Sequence, residues 1–160
     1  MGFNMKVIYT DAVRAPEDTE KAVNATFQDM NTLLAEADFI SLHVPLLPET
    51  QGLFDAPKFF RMKRTAFFIN TSRGPVVDEA ALVAALESKK IAGAALDVYE
   101  NEPFIHPGLK RPNVVLAPHL ASASLETRTK MAVMAANNVA LLFQGQMPLN
   151  MVNPSVLKRR

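Results

Sequence analysis

Three polar residues of this chain closely follow apolar segments, and their types suit one kind of chemistry. Arg73 follows AFFINTS, Glu102 follows GAALDVYEN and His119 follows NVVLAP. In an open parallel sheet the ligand crevice lies at the carboxyl ends of the strands. We therefore expect all three side chains to face one pocket, although they are far apart in the sequence.

Together these side chains would serve the reduction of a 2-oxo acid. Arg73 offers a planar fork of donors for a carboxylate and the adjacent carbonyl oxygen. A histidine such as His119 can give a proton to that carbonyl as it is reduced. Glu102, in contact with His119, would favour the imidazolium form and hold the ring in place. The hydride must come from a cofactor, because no side chain supplies one.

Ordinary structural roles compete with this interpretation. Taken alone, Arg73 is typical of a turn, Glu102 of a loop and His119 of a structural or surface position. A strand-end acid such as Asp11 is more often a helix cap than a cofactor ligand. The pattern alone therefore indicates an α/β domain, with nucleotide binding as one option for its function.

Asp11 is a second candidate binding residue, because it ends the first apolar strand. In dinucleotide-binding units an acid in this place bonds the adenosine ribose, and it follows a G-x-G-x-x-G loop by about 20 residues. The six glycines stand at positions 2, 52, 74, 93, 108 and 145, so the chain has no such loop. Counting back from Asp11 to the expected loop runs off the start of the chain.

Short apolar runs alternate with helical patterns along the chain. The predicted strands cover residues 5–11, 39–44, 66–71, 93–98 and 114–117. The predicted helices cover residues 16–23, 29–37, 56–62 and 78–90, and a long helix runs from Ser122 or Ser124 to Gly145. This alternation predicts a parallel sheet with helices on both faces.

Two helices and one strand carry more specific expectations. The helix over residues 56–62 should turn Phe59, Phe60 and Met62 inward, and the strand over 66–71 should be fully buried. The long helix should present one apolar face, which consists of Met131, Met134, Ala135, Val139 and Leu142.

Composition excludes several classes of function. The 160 residues are 49% hydrophobic and 21% charged, which is ordinary for a globular protein. A net charge of +1 gives no indication of nucleic-acid or membrane binding. The chain has no cysteine and its three histidines lack metal-ligand spacing, so we expect no metal site. The cytoplasm is the default location.

Four motifs, in order, resemble those of the D-2-hydroxyacid dehydrogenase family. Residues 43–50 (HVPLLPET) are similar to its H-x-P-L-x-P-x-T segment, and residues 70–82 to its N-x-x-R-G-x-x-x-[DN]-x-x-x-L signature. Residues 94–103 resemble A-x-L-D-V-x-x-x-E-P, and residues 117–119 the Pro-His segment. The resemblance spans roughly residues 5–145 and includes glyoxylate/hydroxypyruvate reductases and phosphoglycerate dehydrogenases.

The resemblance implies a role for each candidate residue. Arg73 would bind the substrate carboxylate and carbonyl, His119 would be the acid/base and Glu102 its partner. The cofactor would be NAD rather than NADP, because the carboxylate of Asp11 would repel a 2′-phosphate. The implied cofactor-binding residues are Asp11, Val44, Pro45, Thr50, Thr71, Ser72, Arg73, Asp97 and His119.

The chain also departs from the family pattern. Ala121 stands where many members carry glycine, and the family's substrate domain, first strand and glycine loop are missing. The expected fold is therefore a partial Rossmann-like, doubly wound parallel sheet that lacks its middle strand. Residues 1–146 would form this partial NAD-binding domain, and residues 147–160 an arm that packs on the absent substrate domain.

Three interpretations remain open at this stage. In the first, the chain is a fragment of a longer enzyme and has little turnover of its own. In the second, it regains function through self-association, for example as a homodimer, or through a partner that supplies the missing strand. Alternatively it is a non-catalytic NAD-binding module like the family's corepressors. In each enzymatic case the substrate is a small 2-oxo or D-2-hydroxy acid.

Overall fold

The computed structural model describes residues 4–159, with side chains described through residue 156. Six strands are described: β1 (Val7–Tyr9), β2 (Ala25–Phe27), β3 (Phe39–Leu42), β4 (Phe67–Asn70), β5 (Gly93–Leu96) and β6 (Val114–Leu116). The described α-helices are α1 (Glu17–Val23), α2 (Met30–Glu36), α3 (Ala56–Arg61), α4 (Glu79–Glu87) and α5 (Leu125–Phe143). Short 3-10 helices cover Gly74–Val76, Pro107–Leu109 and Pro154–Arg159.

The chain divides into two compact units, Met1–His119 and Leu120–Arg160, and every described strand lies in the first. All strand pairs are parallel, which confirms the predicted α/β class. β1 pairs with β2 in one sheet, and a second sheet has the order β3-β4-β5-β6. Among the described strands, β1, β2, β3 and β6 are therefore edge strands.

Two helices start at residues where the sequence predicted a helix to begin, and each start is capped by a side chain. The side chain of Asp78 accepts a hydrogen bond from the Ala81 N–H (2.9 Å) and begins α4. Ser124 accepts one from the Thr127 N–H (3.1 Å), so Ser124 rather than Ser122 begins α5. Such caps satisfy N–H groups that have no partner within the helix.

The core of the first unit is built around an aromatic cluster. Phe54, Phe59 and Phe68 are fully buried, with ring centroids 4.8–5.6 Å apart. The expectation for Phe60 is wrong: its side chain is 59% exposed, because α3 is short and turns the adjacent Phe59 toward the core. Burying these aromatic rings supplies much of the free energy that stabilises the unit.

The strand predicted over residues 66–71 is buried on one face only. Burial alternates along β3 and β4, with Phe68 inside and Phe67 41% exposed. Phe67 stacks on Phe39, its register partner on β3, at a centroid distance of 5.6 Å. The prediction of full burial is therefore wrong for Phe67, since successive strand residues point to opposite faces.

A polar cluster joins β1 to α1. Glu20 accepts hydrogen bonds from the Tyr9 hydroxyl (2.6 Å) and from Arg14 Nε and Nη2 (2.8 and 2.9 Å). The Arg14 hydrogen bonds and then the Tyr9 hydrogen bond lower the pKa of Glu20 from its ordinary 4.5 to about 2. The cluster therefore depends on an ionised Glu20.

We expect Glu20 to make the stability of the chain fall in acid. Because its folded-state pKa lies below the unfolded value, its contribution is present above pH 4.5 and is lost as pH falls through about 2. Glu20→Gln should lower the urea midpoint at neutral pH and flatten the acid decline. Glu17→Gln is the matched control, because Glu17 is exposed on the same helix. An acid decline as steep in Glu20→Gln as in the unsubstituted chain would contradict this assignment.

The second unit consists of α5 and the segment that follows it. Asn138 Oδ1 accepts hydrogen bonds from the Leu149 N–H (3.1 Å) and the Asn150 N–H (3.3 Å), which tie this segment back to α5. No residue of α5 is buried, so the residues predicted as its apolar face are exposed: Met131, Met134, Ala135, Val139 and Leu142. Among the described residues, no helix has the length and hydropathy needed to span a membrane.

The arm over residues 147–160 contains one regular element among its described residues. Pro154–Arg159 form a 3-10 helix, and Arg160 lies outside the described residues. Residues 1–3, at the start of the predicted NAD-binding part, also lie outside them.

Candidate active site

Four loops of the first unit leave the carboxyl ends of β3 to β6. Since these strands are parallel neighbours, their loops meet at one edge of the sheet. The first begins at His43, the second carries Arg73, the third carries Asp97 and Glu102, and the fourth carries His119. Positions that are far apart in the sequence are thus placed side by side.

A cleft of about 510 Å³ opens between the first two of these loops. We call it the strand-end cleft; its walls are His43, Val44, Pro45, Leu46, Thr71, Ser72 and Arg73. Five of these residues are among the predicted cofactor-binding set. Thr50 lies outside the walls, but its hydroxyl donates to the Pro45 carbonyl (2.6 Å) and accepts from the Leu47 N–H (2.8 Å). Thr50 therefore holds one wall in shape.

The loop of Arg73 is fixed by buried polar contacts. Asn70 Oδ1 accepts from the Ser72 N–H (3.0 Å), and Asn70 Nδ2 donates to the Arg73 carbonyl (3.1 Å). The Ser72 hydroxyl donates to the Val44 carbonyl across the cleft. Arg73 Nη1 donates to the Ser72 carbonyl (2.7 Å), while the residue itself is exposed. These bonds define the position from which the guanidinium can reach an anion.

Glu102 and His119 form a pair, as predicted. His119 Nδ1 lies 3.1 Å from Glu102 Oε2, and the Tyr99 N–H donates to Glu102 Oε1 (3.1 Å). The hydrogen bond to His119 is the main reason that the pKa of Glu102 lies below its ordinary value, and the charge of Arg73 adds to the effect. The structure thus brings Glu102 and His119 together, whereas Arg73 is the only one of the three predicted catalytic residues that lines the strand-end cleft.

The backbone of His119 has an unusual conformation. Its φ of +57° lies in the left-handed region, which residues with a Cβ atom seldom adopt. Such conformations are found preferentially at functional sites, where the surrounding contacts hold them. Nδ1 faces Glu102, which leaves Nε2 as the ring atom that can exchange a proton with a ligand.

Tyr99 connects the third and fourth loops, and the sequence did not single it out. Its buried hydroxyl donates to the Ala117 carbonyl (2.8 Å) and lies 3.2 Å from the Leu96 carbonyl. Its position three residues before Glu102 is the one sequence signal that could have identified it. Tyr99 therefore supports both partners of the Glu102–His119 pair.

The two candidate aspartates lie away from the walls of the strand-end cleft. Asp97 directly follows β5, is buried and donates its N–H to the Asn70 carbonyl (3.0 Å). Asp11 is exposed and follows β1, which ends at Tyr9.

The strand-end cleft suits one half of a dinucleotide. It lies where α/β sheets bind nucleotides, and its walls combine apolar side chains with hydroxyl groups, an imidazole and a cation. The glycine-rich turn that approaches a pyrophosphate is not encoded in the chain, whose glycines are all far apart. The residues that line the cleft thus fit the nicotinamide part of such a cofactor.

Comparison with known proteins agrees with this geometry. Residues 1–121 match the family model "D-isomer specific 2-hydroxyacid dehydrogenase, NAD binding domain". The chain is 50% identical over 161 residues to a glyoxylate reductase of Korarchaeum cryptofilum, a match that covers 99% of the chain and 48% of that protein. The chain thus spans about half the length of the curated relatives it matches.

Solved structures agree as well. A glyoxylate reductase structure from Paecilomyes thermophila superposes with a TM-score of 0.89 at 35% identity, covering 97% of this chain and 47% of that one. An NADPH-dependent glyoxylate/hydroxypyruvate reductase from Sinorhizobium meliloti, in complex with NADP and malonate, gives a TM-score of 0.82 at 33% identity, covering 89% and 44%. The chain therefore belongs to the D-isomer-specific 2-hydroxyacid dehydrogenases, and residues 1–121 match their NAD-binding domain.

Proposed function

We propose that this chain is the larger part of the NAD-binding domain of an enzyme that interconverts a 2-oxo acid and a D-2-hydroxy acid. The observation that carries the proposal is the 3.1 Å contact between His119 Nδ1 and Glu102 Oε2. The charge of Arg73 also lowers the pKa of Glu102. An anion-binding cation beside a paired histidine is the set of groups that this reaction requires.

Each side chain has a separate part in the reaction. Arg73 binds the carboxylate of the 2-oxo acid and polarises its carbonyl oxygen. His119, protonated before reduction, gives the proton from Nε2 to that oxygen as the alkoxide develops. Glu102 stabilises the imidazolium through Nδ1 and fixes the ring orientation. When bound in this site, NADH would supply the hydride that reduces the carbonyl carbon.

A small substrate of the glyoxylate or hydroxypyruvate class is the first to test. The Korarchaeum relative is a glyoxylate reductase, and it is 50% identical to this chain. Glyoxylate presents a carboxylate next to a carbonyl, which matches the donor fork of Arg73.

We further propose NAD as the preferred cofactor over NADP. Asp11 is exposed at the end of β1, where its charge would repel a 2′-phosphate. Arg14, the nearest arginine in the sequence, is bonded to Glu20 at 2.8 and 2.9 Å, so its charge is already neutralised. The Sinorhizobium relative, which was solved with NADP, shows that the family also includes enzymes of the other preference.

The proposed domain organisation keeps the boundaries predicted from the sequence. Residues 1–146 form most of a cofactor domain, and the arm over residues 147–160 packs on a substrate domain supplied elsewhere. The outer edges of β1 and β3 are free to accept a further parallel strand, either from the rest of the enzyme or from a second copy. Self-association is thus the proposed behaviour of the isolated chain.

Cofactor binding by the isolated chain is the first experiment. We would titrate it with NADH and NADPH in a calorimeter at two protein concentrations. Binding of NADH that strengthens with protein concentration would support site completion by self-association. Absence of binding would support the fragment interpretation, whereas equal affinity for NADPH would contradict the cofactor preference.

We propose that turnover needs the part of the relatives that this chain does not match. We would join this chain to the portion of the Korarchaeum relative that it does not match, and assay this joined protein with NADH and glyoxylate, hydroxypyruvate and other 2-oxo acids. Turnover of any of them would support the proposed reaction. A joined protein that folds and binds NADH but reduces no 2-oxo acid would overturn it and favour a corepressor-like binding module.

A further inference from the structure

Glu79 is a buried carboxylate that stands outside the strand-end cleft. It is the first residue of α4, and only 6% of its surface is exposed. Its Oε1 accepts a hydrogen bond of 2.6 Å from the Glu100 N–H, and its own N–H points at Glu100 Oε2 at 3.4 Å. Burial is the main reason that the pKa of Glu79 is raised. The hydrogen bond from the Glu100 N–H opposes this rise, the charge of Glu100 adds to it, and the charge of His106 opposes it.

Helix capping does not account for this side chain. Asp78 already caps α4 through the Ala81 N–H, and an acid in the first turn interacts well with the helix dipole while exposed to water. Glu79 instead reaches across to a backbone N–H that is 21 residues away in the sequence. Taking a carboxylate out of water is unfavourable unless it makes hydrogen bonds. The hydrogen bond from the Glu100 N–H therefore holds the buried Glu79 carboxylate and the Glu100 backbone together.

That partner is the loop over residues 99–102, which carries Glu102. Within this loop the Tyr99 N–H donates to Glu102 Oε1 (3.1 Å), and Glu102 Oε2 faces His119. The residue held by Glu79 lies between Tyr99 and Glu102. A displacement of the Glu100 backbone would therefore move the carboxylate that faces His119.

We propose that Glu79 is a positioning residue, which fixes the 99–102 loop through the Glu100 N–H and thereby aims the Glu102 carboxylate at His119. This inference rests on the proposed pairing of Glu102 with His119. The candidate site would then include a residue of α4, because Glu79 contacts the 99–102 loop from that helix and not from the end of a strand.

Four substitutions in the 160-residue chain separate the roles. Glu79→Asp keeps the charge but shortens the reach, so the hydrogen bond to Glu100 is lost. Glu79→Gln keeps an acceptor oxygen at the same reach and removes the charge. His119→Ala removes the partner of Glu102. Glu87→Gln, at the other end of α4, is the matched control because its carboxylate faces Arg111.

The measurement is the titration of the Glu102 side-chain carboxyl, followed by carbon-13 NMR, with thermal unfolding of each variant as a check on folding. His119→Ala should raise the pKa of Glu102 toward that of an isolated glutamate, because the largest lowering influence is gone. Glu79→Asp should reproduce at least about half of that rise, since an ill-placed carboxylate interacts weakly with the ring. Glu79→Gln and Glu87→Gln should keep the titration of the unsubstituted chain.

The outcomes distinguish this inference from the proposed function. An unchanged Glu102 titration in His119→Ala would show that the pair does not exist, and the proposed function would fail with it. A rise in His119→Ala but none in Glu79→Asp would overturn the positioning role alone. Equal rises in Glu79→Asp and Glu79→Gln would also overturn it, because they would implicate the charge rather than the hydrogen bond.

Discussion

Replacement of Gly74 by alanine is expected to lower the free energy of unfolding by about 3 kcal/mol. A Cβ atom at this position would lie 1.8 Å from the Tyr99 carbonyl oxygen, 1.9 Å from its carbon and 2.5 Å from the Glu100 nitrogen. These are all backbone atoms, so no side-chain rotation relieves the clash. Either the Arg73 loop or the 99–102 loop must move, and the contact between them is lost. Urea unfolding at neutral pH gives the free energy.

Gly52→Ala is the control for the loss of a glycine as such. Gly52 has a φ of +61° and no atom within 4 Å of an added Cβ, so its replacement introduces backbone strain without a clash. That strain should lower the free energy of unfolding by about 1 kcal/mol. If Gly74→Ala proved no more harmful than Gly52→Ala, the close approach of the two loops would be wrong.

The fold was predictable where local chemistry and periodicity agree. The apolar spacing of residues 30–37 predicted a helix over residues 29–37, and the structure has α2 at Met30–Glu36, capped by Asp29. β2 was missed because Ala25–Phe27 is too short to show an alternating pattern. The prediction placed both Phe59 and Phe60 inward, and it failed for Phe60 because adjacent residues of a short helix cannot both face the core.

The candidate site was predictable through topology rather than through local pattern. Parallel strands place their carboxyl ends together, so the expectation that Glu102 meets His119 needed only the strand boundaries. The role of each residue came from the resemblance to a family. The supporting contacts of Tyr99, Gly74 and Glu79 were missed because they join loops through backbone atoms, which leave no periodic trace in the sequence.

The largest effect on activity is expected from His119→Gln in the joined protein. Glutamine has no group that can give up a proton at neutral pH, so the alkoxide would form without a donor. Loss of a general acid lowers kcat by about a thousandfold. KM for the 2-oxo acid should change far less, because Arg73 still binds the carboxylate. Steady-state kinetics with NADH and glyoxylate provide both values.

His106→Gln is the histidine control for this experiment. His106 lies in an exposed turn, where its Nδ1 accepts a hydrogen bond from the Gly108 N–H (3.1 Å), and a glutamine oxygen can take over that role. Its kcat should therefore stay close to that of the unsubstituted joined protein. If His119→Gln kept its kcat as well, the proton would come from another group or from water. Glu102 would then stabilise the His119 ring although that ring takes no part in the reaction, and the proposed role of His119 as the proton donor would be wrong.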